Sequence, residues 1–331
     1  MSEALATLLD WISIDSTSGR EEQYADAVTD HLVRRGFAVE TQSVDGTRKN
    51  VFARAGDPAV VFCTHLDCVP PFFGPSADRE YVHGRGACDA KGVAYAMIEA
   101  GTRLLDAGED RIGFLFTVGE EVDFAGARVA GAERPDGFAP RFTIVGEPTE
   151  NRFVRAHKGV YGGRLVGRGV KAHSSRPLGP SAIHEVVRSL HRILDADHGR
   201  HPVLGEGSAN IGAVSGGIAP NVVADRAEAN VFLRTVEPRA EVERRLRECL
   251  TEHVEWHPGV GCDPCEFLVP EGRPSGVETF GTDAPFLADY GQRLLYGPGR
   301  IVDAHTDHER LSRASFDRAV AEYVEIVTEL L

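Results

Sequence analysis

An apolar, β-branched run at residues 60–64, Val-Val-Phe-Cys-Thr, ends in His65-Leu66-Asp67 and is closed by Pro70-Pro71. Such a run reads as a buried strand that delivers polar side chains at its C-terminal end. Residues i and i+2 of an extended segment point the same way, so His65 and Asp67 face one space just outside a sheet. An imidazole with a carboxylate two positions on has the form of a metal ligand with its orienting partner, although the same pair is common on solvated surfaces. Two further apolar runs end similarly. Residues 112–118 lead into Gly119-Glu120-Glu121, and residues 142–145 into Gly146-Glu147-Pro148-Thr149. Asp89 follows Gly84-Arg85-Gly86 and stands just before a helical pattern, where it could also serve as a cap. Adjacent carboxylates at the ends of apolar strands are costly unless something positive meets them.

The tail adds Ala304-His305-Thr306-Asp307-His308-Glu309. One imidazole from it, His305 or His308, joins His65, Asp89, Glu120, Glu121 and Glu147. Two histidines with three or four carboxylates exceed the needs of one tetrahedral zinc. They suit two divalent ions that share a bridging carboxylate and a water. Mixed nitrogen and oxygen ligands favour zinc, with cobalt or manganese as substitutes. The glutamate left over can take a proton from that water.

Positioning these groups requires strands alternating with helices, hence an α/β fold whose mostly parallel sheet brings its C-terminal edges together. Helical spacing covers residues 2–11, 19–35 and the stretch after Asp89, and a final amphipathic helix covers about 311–331. Strands are expected at 37–42, 50–54, 60–65, 112–118 and 142–145. From about Gly159 the pattern changes to strands near 161–166, 209–215, 227–233 and 265–269, with helices at about 181–194 and 239–253. That is an α+β module of the ferredoxin-like, open-faced kind. The expected organisation is a discontinuous catalytic domain, residues 1–158 and 271–331, interrupted by an inserted lid or dimerisation domain, residues 159–270.

Composition excludes several classes. The net charge of −14, with no basic cluster, argues against nucleic-acid binding. No apolar run approaches the length of a membrane span, and the N-terminus lacks the order of a signal peptide. Six scattered cysteines in a chain of 331 residues read as reduced thiols in a cytoplasmic protein. Cys262 and Cys265 form a single C-x-x-C pair with no second pair to complete a zinc site. Gly84-x-Gly86 lacks the third glycine of a dinucleotide fingerprint.

Taken together, Thr64-His65-Leu66-Asp67-x-Val69-Pro70, Gly84-Arg85-Gly86-x-x-Asp89-x-Lys91-Gly92, Glu120-Glu121, Gly146-Glu147-Pro148-Thr149 and Ala304-His305 resemble a family. It is the co-catalytic zinc peptidase and deacylase family of acetylornithine deacetylase, succinyl-diaminopimelate desuccinylase, aminoacylase and carboxypeptidase G. The resemblance covers nearly the whole chain in order, and the acetylornithine deacetylase branch is the nearest through Gly281-Thr282-Asp283-Ala284-Pro285 and Gly297-Pro298-Gly299. It implies that His65 and Glu147 hold one zinc, Glu121 and His305 the other, and that Asp89 bridges them. Asp67 would brace His65, and Glu120 would be the general base. The peptide after Asp89 would be cis. His173 would support the oxyanion from a partner subunit, which implies a homodimer through the inserted domain. Asn221 would contact the acyl carbonyl, and Arg234 with Gly281 and Thr282 would anchor the substrate carboxylate. The tail departs from the family in placing His308 before Glu309, which makes it a competitor of His305. The expected activity is metal-dependent removal of the acyl group from an N-acyl amino acid such as acetylornithine, acetylcitrulline or acetyl-lysine. Desuccinylation of succinyl-diaminopimelate and dipeptide cleavage are the alternatives within the family. A non-catalytic binder of acyl-amino acids is the alternative of another class.

Overall fold

The computed structural model describes residues 3–331. Its described residues divide into two compact units: one made of residues 3–155, 266–276 and 282–331, the other of residues 156–265 and 277–281. The crossing points therefore lie a few residues before those expected at 159 and 270, and the second unit also takes a short return segment.

The first unit is built on a sheet in the order Ala38–Asp45, Arg48–Arg54, Ile112–Thr117, Val60–His65, Phe142–Val145, Gln292–Leu295, Phe153–His157. The four strands from Ile112–Thr117 to Gln292–Leu295 are mutually parallel, and each strand outside them pairs antiparallel with its inner neighbour. Val60–His65 and Ile112–Thr117 are buried at every position, as parallel strands covered on both faces must be. The helix Lys91–Asp106 is buried along most of its length because it packs on both the sheet and the helix Arg313–Leu330. Ser312 caps the latter, its Oγ accepting from the Ser315 N–H. Apolar and aromatic side chains fill the core, with Trp11 meeting Tyr24 and Tyr95 edge-on at 5.5 and 5.0 Å.

A three-stranded ribbon joins the tail to the middle of this unit. Arg310–Ser312 pairs antiparallel with Tyr81–His83, which pairs with Ser76–Ala77. Because His305 lies just before this ribbon and Asp89 just after it, the pairing brings two distant stretches of sequence to one place.

The second unit is a four-stranded antiparallel sheet, Ser208–Gly216, Arg226–Thr235, Gly159–Arg168, Val254–Cys262. The helices Ala182–Asp195 and Arg239–Glu248 cover one face. Alternation along Arg226–Thr235 puts Ala227, Ala229, Val231 and Leu233 into that core. The fourth strand of this sheet is Val254–Cys262 rather than the expected 265–269, of which only Cys265–Glu266 is a strand. The helix stops at Glu248, Thr251 N–H donates to Ser189 Oγ, and the chain turns into Val254 and Trp256, whose side chains enter the core. The intervening Glu255 and His257 and the following Pro258 concealed that alternation in the sequence. The helix Ala125–Ala132 and the strands Phe153–His157 and Gln292–Leu295 also lack a clear periodic signal, being short. Among the described residues no disulfide forms, and no helix is long and apolar enough to cross a membrane.

His31 sits in the first unit's core against Trp11 and Tyr95, with Arg35 Nε donating to its Nε2. Burial first, then Arg35 and Arg34, lower its pKa to about 4. The folded chain thus binds fewer protons than the unfolded one between about pH 6.5 and 4, and stability must fall as pH falls through that window. The shift corresponds to a loss on the order of 3 kcal/mol. In urea unfolding, His31→Phe is expected to show a shallower loss of stability over this window than the parent chain; equal slopes would remove His31 as the cause.

Candidate metal centre

Each functional side chain sits at a C-terminal strand end or in a turn that the sheet edge positions. His65 ends its strand, buried, and its Nδ1 lies 2.9 Å from the Asp67 backbone oxygen and 3.4 Å from Asp67 Oδ1. Donation from Nδ1–H to Asp67 fixes the tautomer and leaves the Nε2 lone pair facing outward. That nitrogen is 3.0 Å from Asp89 Oδ1. On the other side of Asp89, His305 Nε2 lies 3.3 Å from Oδ2 and 2.8 Å from Glu121 Oε1. Asp89 therefore stands between the two imidazoles, one oxygen toward each. His65, Asp89 and Glu121 each bring a possible ligand atom within 4.8 Å of the others. The Asp89–Ala90 peptide is cis. His305, rather than the exposed His308, is the tail imidazole that reaches this cluster.

Glycine makes two of these placements possible. Gly119 has φ 77°, and a Cβ there would fall 2.6 Å from Asp123 Oδ1. A Cβ on Gly146 would fall 2.4 Å from Met97 Cε, since the helix Lys91–Asp106 crosses closely at the point where Glu147 leaves the sheet.

Asp67 does more than face His65. Its Oδ1 accepts the Glu120 backbone N–H at 3.0 Å, and its Oδ2 accepts the Glu121 N–H at 3.2 Å and Ser18 Oγ–H at 2.8 Å. One fully buried carboxylate thus links the end of one strand to the turn after its neighbour. Burial pushes the Asp67 pKa up, but the His65, Ser18 and backbone donors outweigh it and hold the carboxyl below its usual range.

The electrostatics are those of crowded acids. Burial, then Glu147, push the Glu120 carboxyl well up. Burial, then Asp89, raise Glu121 to about 7. Glu147 is buried and likewise raised. Asp89 is held low because its hydrogen bonds from His305 and His65 outweigh burial. The hydrogen bonds of His305 to Asp89 and then to Glu121 raise its pKa to about 10. Among the described residues no lysine or arginine forms an ion pair with Asp67, Asp89, Glu120, Glu121 or Glu147. A donor set of this kind, imidazole nitrogens and carboxylate oxygens lacking a fixed counter-cation, fits divalent metal ions.

Three residues of this environment carried no role in the sequence reading. Glu309 and Arg85 form a fully buried ion pair at 2.6 Å. The other oxygen of Glu309 accepts the backbone N–H groups of Cys88 and Asp89, both at 3.0 Å. Glu309 so clamps the turn carrying Asp89 to the loop carrying His305. The signal available was Arg85 between two glycines and Glu309 four residues after His305. Asp283 is the third: Thr117 Oγ1 donates to its Oδ2 at 2.5 Å, and burial raises it to about 7.

Thr282, beside it, is buried with Oγ1 accepting from Ala284 N–H. The remaining expected residues belong to the second unit. His173 and Asn221 are exposed and share one short ladder: His173 pairs with Val222, and Ser174 N–H donates to the Asn221 oxygen at 2.9 Å. Arg234 lies at the other end of the sheet, paired with Val160 and stacked over Phe232 at 5.1 Å. A Cβ on Gly281 would meet Val160 as well. Arg234 pairs at the Val160 end of the strand Gly159–Arg168, whereas Arg226, five residues after Asn221, pairs with Arg168 at the opposite end.

The family model "Peptidase family M20/M25/M40" matches residues 61–329. An M20 peptidase domain-containing protein of Schizosaccharomyces pombe is 35% identical over 315 residues, covering 90% of this chain and 77% of its own. A protein of Aspergillus terreus named "Probable carboxypeptidase" is 34% identical over 365 residues, covering 96% of this chain and 84% of its own. Two solved structures share the fold. A Staphylococcus aureus tripeptidase aligns with a TM-score of 0.82 at 19% identity, over 99% of this chain and 97% of its own. A Bacillus subtilis protein described as a dinuclear metal binding peptidase aligns with a TM-score of 0.68 at 16% identity, over 99% and 98%. The family model spans most of the chain, and relatives above 30% identity run along nearly all of it: the chain belongs to peptidase family M20/M25/M40, a family of hydrolases.

Proposed function

We propose that the protein is a metal-dependent amidohydrolase whose substrate carries a free α-carboxylate on the amine side of the scissile bond. The observation that carries this is the placement of Asp89 between His65 and His305, with Glu121 on His305. His65 and Glu147 would hold one ion, Glu121 and His305 the other, and Asp89 would bridge. When bound, such ions polarise the amide carbonyl and acidify water.

The chain's own residues supply the rest. Asp67 holds the His65 ring and, through two backbone N–H groups, the turn that carries Glu120. Glu120 takes a proton from the attacking water and passes it to the departing amine. Its raised affinity for protons suits a group that must hold one between these steps. His173 donates to the oxyanion and Asn221 to the acyl carbonyl, while Arg234, which has an aromatic face but no carboxylate among its contacts, receives the substrate carboxylate. The attachment of these groups toward opposite ends of the second unit's sheet supports a homodimer in which His173 and Asn221 serve the partner's site.

We favour N-acetylated amino acids, acetylornithine first and acetylcitrulline and acetyl-lysine next, on the Gly281–Pro285 and Gly297–Gly299 segments. Succinyl-diaminopimelate comes after them. Relatives named as carboxypeptidases favour a second reading, release of a C-terminal residue from a peptide. Both readings break the same linkage and differ only in the acyl side. A panel of acetyl-, succinyl- and peptidyl-amino acids, assayed with zinc, cobalt and manganese, distinguishes them; hydrolysis of none of these, with ligand still bound, would leave only a binding protein.

Two outcomes test the chemistry. Glu120→Gln is expected to retain metal, read by emission spectroscopy, while kcat falls by about 10²–10⁴; a variant with parental turnover would remove Glu120 as the base. Because His305 holds its proton up to about pH 10 and Glu121 to about 7, metal uptake near neutrality must expel protons. Affinity should therefore rise as pH rises toward 10. Calorimetry of zinc binding in buffers of different ionisation enthalpy should register proton release, and a heat independent of buffer would contradict the proposed ligand set.

A further inference from the structure

His173 sits in a tight turn whose hydrogen bonds are specific about its two nitrogens. Ser175 backbone N–H points at Nδ1 from 3.2 Å, and Ser175 Oγ lies 2.9 Å from the same atom. A backbone N–H can only donate. Nδ1 therefore accepts, and the ring proton of the neutral imidazole belongs on Nε2. The turn itself is held on both sides: Arg176 N–H donates to the His173 oxygen at 2.9 Å, and Ser174 N–H to the Asn221 oxygen at 2.9 Å. His173 in turn pairs with Val222 in a two-residue ladder. The ring edge bearing Nε2 makes no hydrogen bond among the described residues, and the residue is exposed.

From this geometry we infer that Ser175 is a positioning residue, which presets His173 as a neutral Nε2–H donor before substrate arrives. The inference deepens the reading of His173 as oxyanion donor and rests on it for its catalytic consequence, but the tautomer itself is independent of that reading. A donor whose proton is already on the correct nitrogen costs no rearrangement as charge develops on the carbonyl oxygen. The opposite tautomer would turn a lone pair toward the oxyanion and repel it. Ser175 does not touch substrate; it acts through the ring. The shared ladder also sets the spacing between the His173 donor and Asn221, so the two approach one acyl group as a unit.

The test uses the full-length, zinc-loaded chain with ¹⁵N-labelled histidine. Long-range ¹H–¹⁵N spectra, with the His173 signals assigned by their loss in His173→Gln, report which nitrogen carries the proton. The expected result is a protonated Nε2 and an unprotonated Nδ1; a proton on Nδ1 overturns the inference. Ser175→Ala removes one of the two groups facing Nδ1 and keeps the backbone N–H, so it should raise the minor Nδ1–H population without making it the major form and lower kcat by about threefold to tenfold with KM little changed. Ser175→Thr should restore both. Unchanged spectra and kcat in Ser175→Ala overturn the assignment to Ser175. Full activity in His173→Ala, beside the expected tautomer in the parent chain, would refute the catalytic role of His173 while the tautomer assignment survives.

Discussion

Too much negative charge in too little water is the constraint around which the first unit is arranged. Six carboxyl groups, those of Asp67, Asp89, Glu120, Glu121, Glu147 and Asp283, gather at one sheet edge with two imidazoles between them. Such a group of acids has two escapes: take up protons, or take up cations. The raised proton affinities of Glu120, Glu121, Glu147 and Asp283 are the first escape. In the proposed function Glu121 and Glu147 take the second. Under the proposed function, fold stability and metal binding are linked, because whatever neutralises the edge also relieves the cost of having folded around it.

Holding acids in this state takes rigid backing, and the backing is mostly backbone. Asp67 is satisfied by two peptide N–H groups and a serine, and Glu309 by two peptide N–H groups and Arg85. Each carboxylate ties together turns that are remote in sequence. The second unit uses the same device on a smaller scale, where a peptide N–H fixes an imidazole rather than a carboxylate.

Much of this was legible in the residues themselves. Long apolar runs ending in charge can be read directly, because a parallel strand buried on both faces has no polar alternation to confuse it. His65, Glu121 and Glu147 announced themselves that way, and the resemblance supplied the order of His305 and Asp89. What escaped was of two kinds. Short elements such as Gln292–Leu295 offer too few residues for a period to show, and Val254–Cys262 is interrupted by His257 and Pro258. Residues that act by long-range hydrogen bonding, such as Glu309 on Asp89 N–H, have no local signature at all; only the ribbon pairing Arg310–Ser312 with Tyr81–His83 explains why they meet.

The place of Gln292–Leu295 in the sheet has a consequence for biosynthesis. This strand lies between Phe142–Val145 and Phe153–His157, yet it leaves the ribosome only after the entire second unit. For roughly ten to thirty seconds at ordinary elongation rates, the nascent chain carries Phe142–Val145 with one hydrogen-bonding edge vacant and apolar residues beside it. Such an edge invites pairing with other chains. A chaperone that shelters this edge, or a slow-folding first unit that defers forming it, would decide how much of the polypeptide reaches the native sheet.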